Sequence, residues 1–266
     1  MLEHTFIHLP GVGLATESRW WRLGILTWQG LLNNLPGLVR GLQRRQEIQR
    51  ALESSLEQRH NPHFFAPLLR ASELWRLYGD FAKNCAFLDI ETSGGLNGWQ
   101  DITVIGLSNG ASYLTFVQGQ NLQEFEQAVE GFQLVVTFNG ARFDLPCIHR
   151  YFRHFRASWI HIDLRFTLFR LGLRGGLKTI EKQMGIHRPW IVQGLNGLDA
   201  VVLWNQYENG DPAALDRLIQ YNREDVLNLK TLMDFAFQAL YSRLPLAQLQ
   251  PSDAPFNSPA VPVTRA

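Results

Sequence analysis

Cysteine is nearly absent from this chain: Cys85 and Cys147 are the only two among its 266 residues. Two thiols make neither a disulfide framework nor a zinc site, so both are expected inside a packed core. Also missing is any uninterrupted apolar run of the roughly 18 residues that a membrane span requires. The N-terminus lacks the basic-then-apolar pattern of a secretory leader, and the expectation is a cytoplasmic protein with no membrane partner. Neither sign of charge is in excess, since 25 basic residues face 24 acidic ones. The total therefore says nothing about nucleic acid. No Gly-Lys-Ser or Gly-Lys-Thr phosphate loop is present, which excludes nucleotide hydrolysis of that class.

What is present is a globular composition, 45% hydrophobic and 18% charged, long enough for one sizeable domain and an appendage. Residues 1–40 read as a small helical module, with Pro10-Gly11-Val12-Gly13 before an amphipathic run from Thr16 to Leu23. A Gly-x-Gly turn that opens a helix exposes backbone N–H groups, which makes Gly11 and Gly13 candidates for a phosphate contact. Residues 41–82 read as a helical connector, with Leu42, Ile48, Leu52 and Leu56 at helical spacing and a break at Asn61-Pro62. From 83 to 240 strand-like runs mix with helical ones, which argues for one α/β domain. Residues 241–266 carry Pro245, Pro251, Pro255, Pro259 and Pro262 with few apolar anchors, and disorder is expected there.

Three motifs carry acids in apolar surroundings. In Cys85-Ala-Phe-Leu-Asp-Ile-Glu91, side chains two apart share one face of a strand, so Asp89 and Glu91 stand side by side while Leu88 and Ile90 face the core. Two carboxylates so placed repel one another and resist ionisation, and a divalent cation relieves both problems. The second motif, Leu134-Val-Val-Thr-Phe-Asn139-Gly140-Ala-Arg142-Phe-Asp144-Leu-Pro146, is a buried strand, a turn and a helix start. Pro146 fits a first helical turn, so Asp144 is either an N-cap or a site residue, and Asn139 either a turn residue or one that faces the site. The third, Tyr221-Asn-Arg-Glu-Asp225, places Tyr221 and Asp225 one helical turn apart.

Charge distribution adds a further cue. Between residues 142 and 188 ten basic residues, eight of them arginine, face only three acids. Such a segment suits phosphate contacts or a solvated face, with Arg142 and Lys178 the candidates for the former. Asp163 reads as the N-cap of a following helix. His149, His154 and His161 lack the spacing of a metal triad, and Trp99 and Trp190 are either packing residues or stacking platforms.

The order of the three motifs resembles the DEDD 3′-to-5′ exonucleases of the ribonuclease H-like superfamily, in the subclass with tyrosine as the water-orienting residue. The resemblance covers residues 83–240. Through Phe143-Asp144, Asp163-Leu164-Arg165, Gly176-Leu177-Lys178-x-x-Glu181 and Tyr221-Asn222-x-x-Asp225-Val226 the chain is most similar to the bacterial YprB-type exonucleases. The resemblance implies an α/β fold with a mixed central sheet flanked by helices, in which Thr103–Leu107 and Ala111–Phe116 are antiparallel neighbours of the Asp89 strand. It implies Asp89, Glu91, Asp144 and Asp225 as ligands of two Mg2+ or Mn2+ ions, Tyr221 as the residue aligning the attacking water, and DNA or RNA with a free 3′ end as substrate. Residues 10–13 with Gly24-Ile25-Leu26-Thr27 resemble the helix-hairpin-helix modules that grip nucleic-acid backbones. Two alternatives stand beside the exonuclease: a structure-selective ribonuclease or endonuclease with the same site, and an inactive nucleic-acid-binding adaptor.

Overall fold

The computed structural model describes residues 1–95, 101–156 and 158–249. The chain divides into two compact units, one comprising Met1–Lys83 with the segment from Phe235, the other Asn84–Asp234.

The first unit is helical. It contains α1 (Leu14–Arg22), α2 (Trp28–Leu38), α3 (Leu42–Glu57), α4 (Pro62–Phe65) and α5 (Trp75–Phe81). Thr27 caps α2 by accepting a hydrogen bond from Gly30 N–H at 3.1 Å, which is why the chain turns into a helix there. The break at Asn61-Pro62 is itself a helix start, with Asn61 as N-cap and Pro62 in the first turn. Trp21, Trp28, Phe6 and Phe65 are fully buried, and Trp28 stacks on Phe65 with ring centroids 5.4 Å apart. Gly11 adopts a left-handed φ of 63° and its carbonyl accepts from Arg44. Gly13 is the N-cap of α1, with no side chain capping the helix.

Buried charge runs through this apolar core. Glu17 on α1, Glu73 in the turn before α5 and Arg76 on α5 are all buried. Arg76 bridges the two acids, with Nε 2.8 Å from Glu73 and Nη1 3.0 Å from Glu17. Glu17 also accepts from the backbone N–H groups of Phe6 and Ile7.

The second unit is built on five strands: β1 (Cys85–Thr92), β2 (Ile102–Ser108), β3 (Tyr113–Val117), β4 (Leu134–Thr137) and β5 (Ile160–Asp163). Their order is β3-β2-β1-β4-β5. β1 and β2, and β2 and β3, pair antiparallel, whereas β1 and β4, and β4 and β5, pair parallel. This is the mixed sheet that the resemblance implied. β2 extends one residue beyond the expected strand at each end, and β3 begins two residues later than Ala111. Asn109 explains that delay, because its side chain accepts from Ala111 and Ser112 N–H and makes a turn there.

Helices α6 (Phe125–Val129), α7 (Asp144–Tyr151), α8 (Leu164–Phe169), α9 (Leu177–Gln183), α10 (Gly197–Glu208) and α11 (Pro212–Ser242) complete the unit, the last with residues up to Asp234. Period-two alternation divides the core. Ala86, Leu88, Ile90, Ile105 and Leu107 pack with Phe125, Val129 and Ile148, while Val104 and Val117 pack with Leu203, Trp204, Leu218 and Tyr221.

The C-terminal expectation changes in part. Pro245–Leu249 forms a short helix, α12, with Leu246 buried. A proline at the first helical position costs little, since its missing N–H has no intrahelical partner there anyway, and one leucine anchors the turn. The rest of the expected disordered tail, 250–266, lies outside the described residues, as does Trp99.

Candidate metal centre

Because Leu88 and Ile90 face α6 and α7, Asp89 and Glu91 project from the opposite side of β1. Their cross-strand partners on β2 are Gly106 and Val104. The register shifts between Glu91 and Thr92, an irregularity of the kind that often accompanies sites at strand ends. From α11, Asp225 meets the pair: one carboxylate oxygen from each of Asp89, Glu91 and Asp225 lies within 4.8 Å of the others.

Asp144 arrives by a different route. It is the first residue of α7, yet Phe143 holds the N-cap position and no side chain caps the helix. The parallel ladder between β1 and β4 stops at Phe87. Beyond that point Ile90 N–H donates to Asp144 Oδ1 at 3.2 Å, so Asp144 serves the end of β1 rather than its own helix. Its side chain is buried, as are those of Glu91 and Asp225.

Crowding the four acids has an electrostatic consequence. Burial, then the charges of Asp225, Asp144 and Glu91, hold the Asp89 carboxyl well above the usual carboxylate range. Burial followed by Asp225 pushes Glu91 up to about 8. Burial also raises Asp144, to about 7, against the pull of its backbone hydrogen bonds. Three neighbouring carboxyls that resist ionisation in this way are a set of hard oxygen donors short of positive charge, and Mg2+ or Mn2+ fits such a set better than zinc does.

Among the described residues two cations reach the cluster, both at Asp225. Lys178 on α9 places Nζ 3.0 and 2.8 Å from its two oxygens. Arg188 Nη2 donates to Asp225 Oδ1. Arg188 is itself held by Glu181, with Nε 2.7 Å from Oε2 and Nη2 2.5 Å from Oε1. Asn228 donates to the same Glu181. Tyr221 is buried, with the Lys178 ammonium 4.2 Å from its ring centroid, and burial followed by the charge of Asp225 raises its hydroxyl pKa.

The five residues singled out by the motifs thus lie on β1, α7 and α11 of one unit. Lys178 joins them. Asn139, at a left-handed φ of 66°, does not: its N–H donates to Asp163 and its side-chain oxygen accepts from Arg165. Asp163 caps α8 as expected and also fastens this turn. Arg142 is exposed. Gly11 and Gly13 belong to the other unit. Cys85 and Cys147 are buried thiols. His149 and His154 are exposed, and His161 bonds Thr137. Trp190 is 84% exposed.

Sequence reasoning missed three contributors. Asn222, fully buried, donates to Asp89 Oδ2 at 3.0 Å and accepts from the Tyr113 hydroxyl at 2.9 Å. It fits only because residue 106 is glycine, where a Cβ would stand 2.0 Å from the Asn222 carbonyl oxygen. Asn222 and Glu181 stood in the sequence only as motif positions of the resemblance with no role attached, and Arg188 only as one base in a basic segment. No spacing rule joins a residue on α9 to one in the following loop.

No curated protein matches the chain. Solved structures similar to it include the family B DNA polymerase from the hyperthermophilic archaeon Pyrobaculum calidifontis, at 16% identity and a TM-score of 0.46, over 62% of this chain and 26% of that one. A nuclease in its apo form is another, at 19% identity and a TM-score of 0.40, over 67% of this chain and 90% of that one. The chain therefore spans about a quarter of the polymerase chain it matches. Among the described residues no helix is long and apolar enough to cross a membrane. The model of the RNase H superfamily matches residues 86–237, which include β1 from its second residue, both later motifs and every residue of the carboxylate cluster, and the chain belongs to that superfamily.

Proposed function

We propose that the chain is a metal-dependent 3′-to-5′ exonuclease of the DEDD type, tyrosine subclass, that hydrolyses phosphodiester bonds of DNA or RNA. The observation that carries this reading is the convergence of Asp89, Glu91 and Asp225 oxygens within 4.8 Å, with Asp144 beside them. In this reading Asp89, Glu91, Asp144 and Asp225 hold two Mg2+ or Mn2+ ions. Divalent cations at such a site lower the pKa of water and neutralise the charge that builds on the phosphoryl oxygens.

The chain's own residues do the rest. Asn222 fixes the orientation of Asp89, because its amide donates to the carboxylate while its oxygen is engaged by Tyr113. Asp144 is steadied by the Ile90 N–H. The Tyr221 hydroxyl, kept protonated by its surroundings, donates a hydrogen bond that aligns the attacking water. Lys178 and Arg142 contact phosphates of the strand, and the Gly11/Gly13 turn offers backbone N–H groups to the nucleic-acid backbone. Asn139 shapes the turn that delivers Asp144.

The test is to incubate the protein with 5′-labelled single-stranded DNA and RNA of equal sequence, with Mg2+, Mn2+ or EDTA, beside Asp89→Ala. A ladder shortening from the 3′ end, dependent on metal and absent from the variant, is the expected result. Internal cuts instead of a ladder shift the reading to a structure-selective endonuclease. Binding of both strands with no cleavage under any metal shifts it to an adaptor.

A further inference from the structure

The four acids of the cluster are not provided for alike. Among the described residues only Asp225 is paired with cations, and it has two. Lys178 Nζ lies 3.0 Å from Oδ1 and 2.8 Å from Oδ2, and Arg188 Nη2 also donates to Oδ1. Both oxygens of this carboxylate therefore already accept. The same carboxylate has an oxygen within 4.8 Å of oxygens of Asp89 and Glu91. A divalent ion that draws on all three acids must then compete with a cation for Asp225.

The two cations are held in different ways. The Arg188 side chain is 7% exposed, and the buried Glu181 accepts from both its Nε and its Nη2. Glu181 is fixed in turn by Asn228, which follows Asp225 by three residues on α11, so the helix that carries the acid also carries the brace. A planar guanidinium tied by its fork cannot turn away without breaking several charge-assisted hydrogen bonds at once. Lys178 is 32% exposed, and among the described residues its ammonium hydrogen-bonds Asp225 alone while lying over the Tyr221 ring. A hydrated point charge on a flexible stem gives up such a partner at little cost. Lys178 and Glu181 stand one turn apart on α9, so one helix delivers the loose cation and the residue that fastens the fixed one.

We propose that Arg188, locked by Glu181, is a positioning residue that holds Asp225 in its ligating orientation, and that Lys178 is an exchangeable counter-ion that yields its place on Asp225 to the metal. This rests on the nuclease reading and deepens it. The released ammonium is free to take a phosphate oxygen of the strand, which couples metal binding to substrate binding through one side chain.

The test is calorimetric titration of Mn2+ into the full chain without nucleic acid. Lys178→Gln is expected to tighten Mn2+ by about two- to fivefold, the worth of a partly exposed ion pair. Lys182→Gln, which removes an exposed charge from the same helix, is expected to leave the affinity unchanged. Arg188→Met combined with Glu181→Gln removes one charge of each sign, yet is expected to weaken Mn2+ by about ten- to a hundredfold, the usual effect of losing a group that orients a metal ligand. If circular dichroism shows that this pair does not fold, Arg188→Lys, which keeps the charge and loses the fork, is used with the same expected direction. Thermal melting separates exchange from mere attraction. Lys178→Gln is expected to melt below the wild type in EDTA and together with it in saturating Mn2+. Lower melting in both conditions, equal tightening by Lys182→Gln, or unchanged affinity in the Arg188 variant overturns the proposal. Cleavage of labelled strands is measured on the same preparations. Cleavage without this pattern of affinities sinks the exchange and leaves the nuclease, whereas the pattern without cleavage supports the exchange and sinks the nuclease. No Mn2+ binding by the wild type overturns both.

Discussion

Among the described residues charge is buried in two places, and the two are built on opposite plans. In the helical unit Arg76 sits between Glu17 and Glu73, every member within 3.0 Å of an opposite charge. In the sheet unit four carboxylates gather, and among the described residues ion pairs reach only Asp225. Burial raises the Glu17 carboxyl in the first cluster, but Arg76 works against the rise. In the second, the neighbours of Asp89 are mostly acids that add to it. A structural cluster closes its own charges; a cluster left short of positive charge carries a cost that makes sense when a ligand supplies the charge.

The sharpest way to break the comparison is Asp89→Asn. Strand cleavage in Mg2+ is expected to fall by about 10³-fold or more, given that one preorganised electrostatic group is worth about 10² to 10³, while the melting temperature in EDTA rises because a repelling charge is gone. A fall in melting temperature would place Asp89 in the same structural class as Glu17. Next comes Arg76→Met, which leaves Glu17 and Glu73 without their cation. Unfolding in denaturant is expected to show a loss of about 3–5 kcal/mol, the cost of orphaning a buried partner. Replacing all three residues by apolar ones of similar volume should recover most of it.

The third test uses pH. His8 is buried in the helical unit, its Nε2 2.9 Å from the Ser55 hydroxyl, and that hydroxyl donates to Ala51. Burial lowers its pKa from 6.5 to about 4. Burial outweighs the hydrogen bond to the Thr5 backbone, which favours the charged ring, and the nearby Arg76 charge works with burial. A folded-state value below the unfolded one means that the unfolded chain takes up the proton first. Stability is complete above pH 6.5 and declines by about 3 kcal/mol as the pH falls toward 4. Denaturant midpoints at pH 7 and pH 4.5 should differ less in His8→Phe than in the wild type. The smallest effect is expected for Tyr221→Phe, about ten- to a hundredfold slower cleavage, within the range of one positioned proton-bearing group, with Mn2+ affinity in titration unchanged.

The legible parts of the molecule are those governed by local periodicity. Leu88 and Ile90 alternating with Asp89 and Glu91 declared both the strand and its two faces, and the four-residue step from Tyr221 to Asp225 declared one side of a helix. The helix start at Thr27 was readable because capping needs only neighbours in the chain, whereas Asn61-Pro62 read as a break and proved to be a capped helix start. Asp144 was ambiguous for the same reason: a local rule offered an N-cap, and only the sheet could supply Ile90 as the competing donor. Least legible were the partners of buried charge. Glu17 sits in a run that reads as simply amphipathic, and Arg76 joins it from 59 residues away. Arg188 reaches Asp225 across 37.

Gly106 bears on how members of this superfamily are searched for and altered. It carries no functional group, so a survey of chemically competent side chains passes over it, yet a single methyl there collides with the amide that steadies Asp89. A strand position opposite the first acid is thus a steric keyhole. Closing it with alanine offers a route to a protein that keeps all four acids and has lost their alignment, a form suited to trapping an uncut strand.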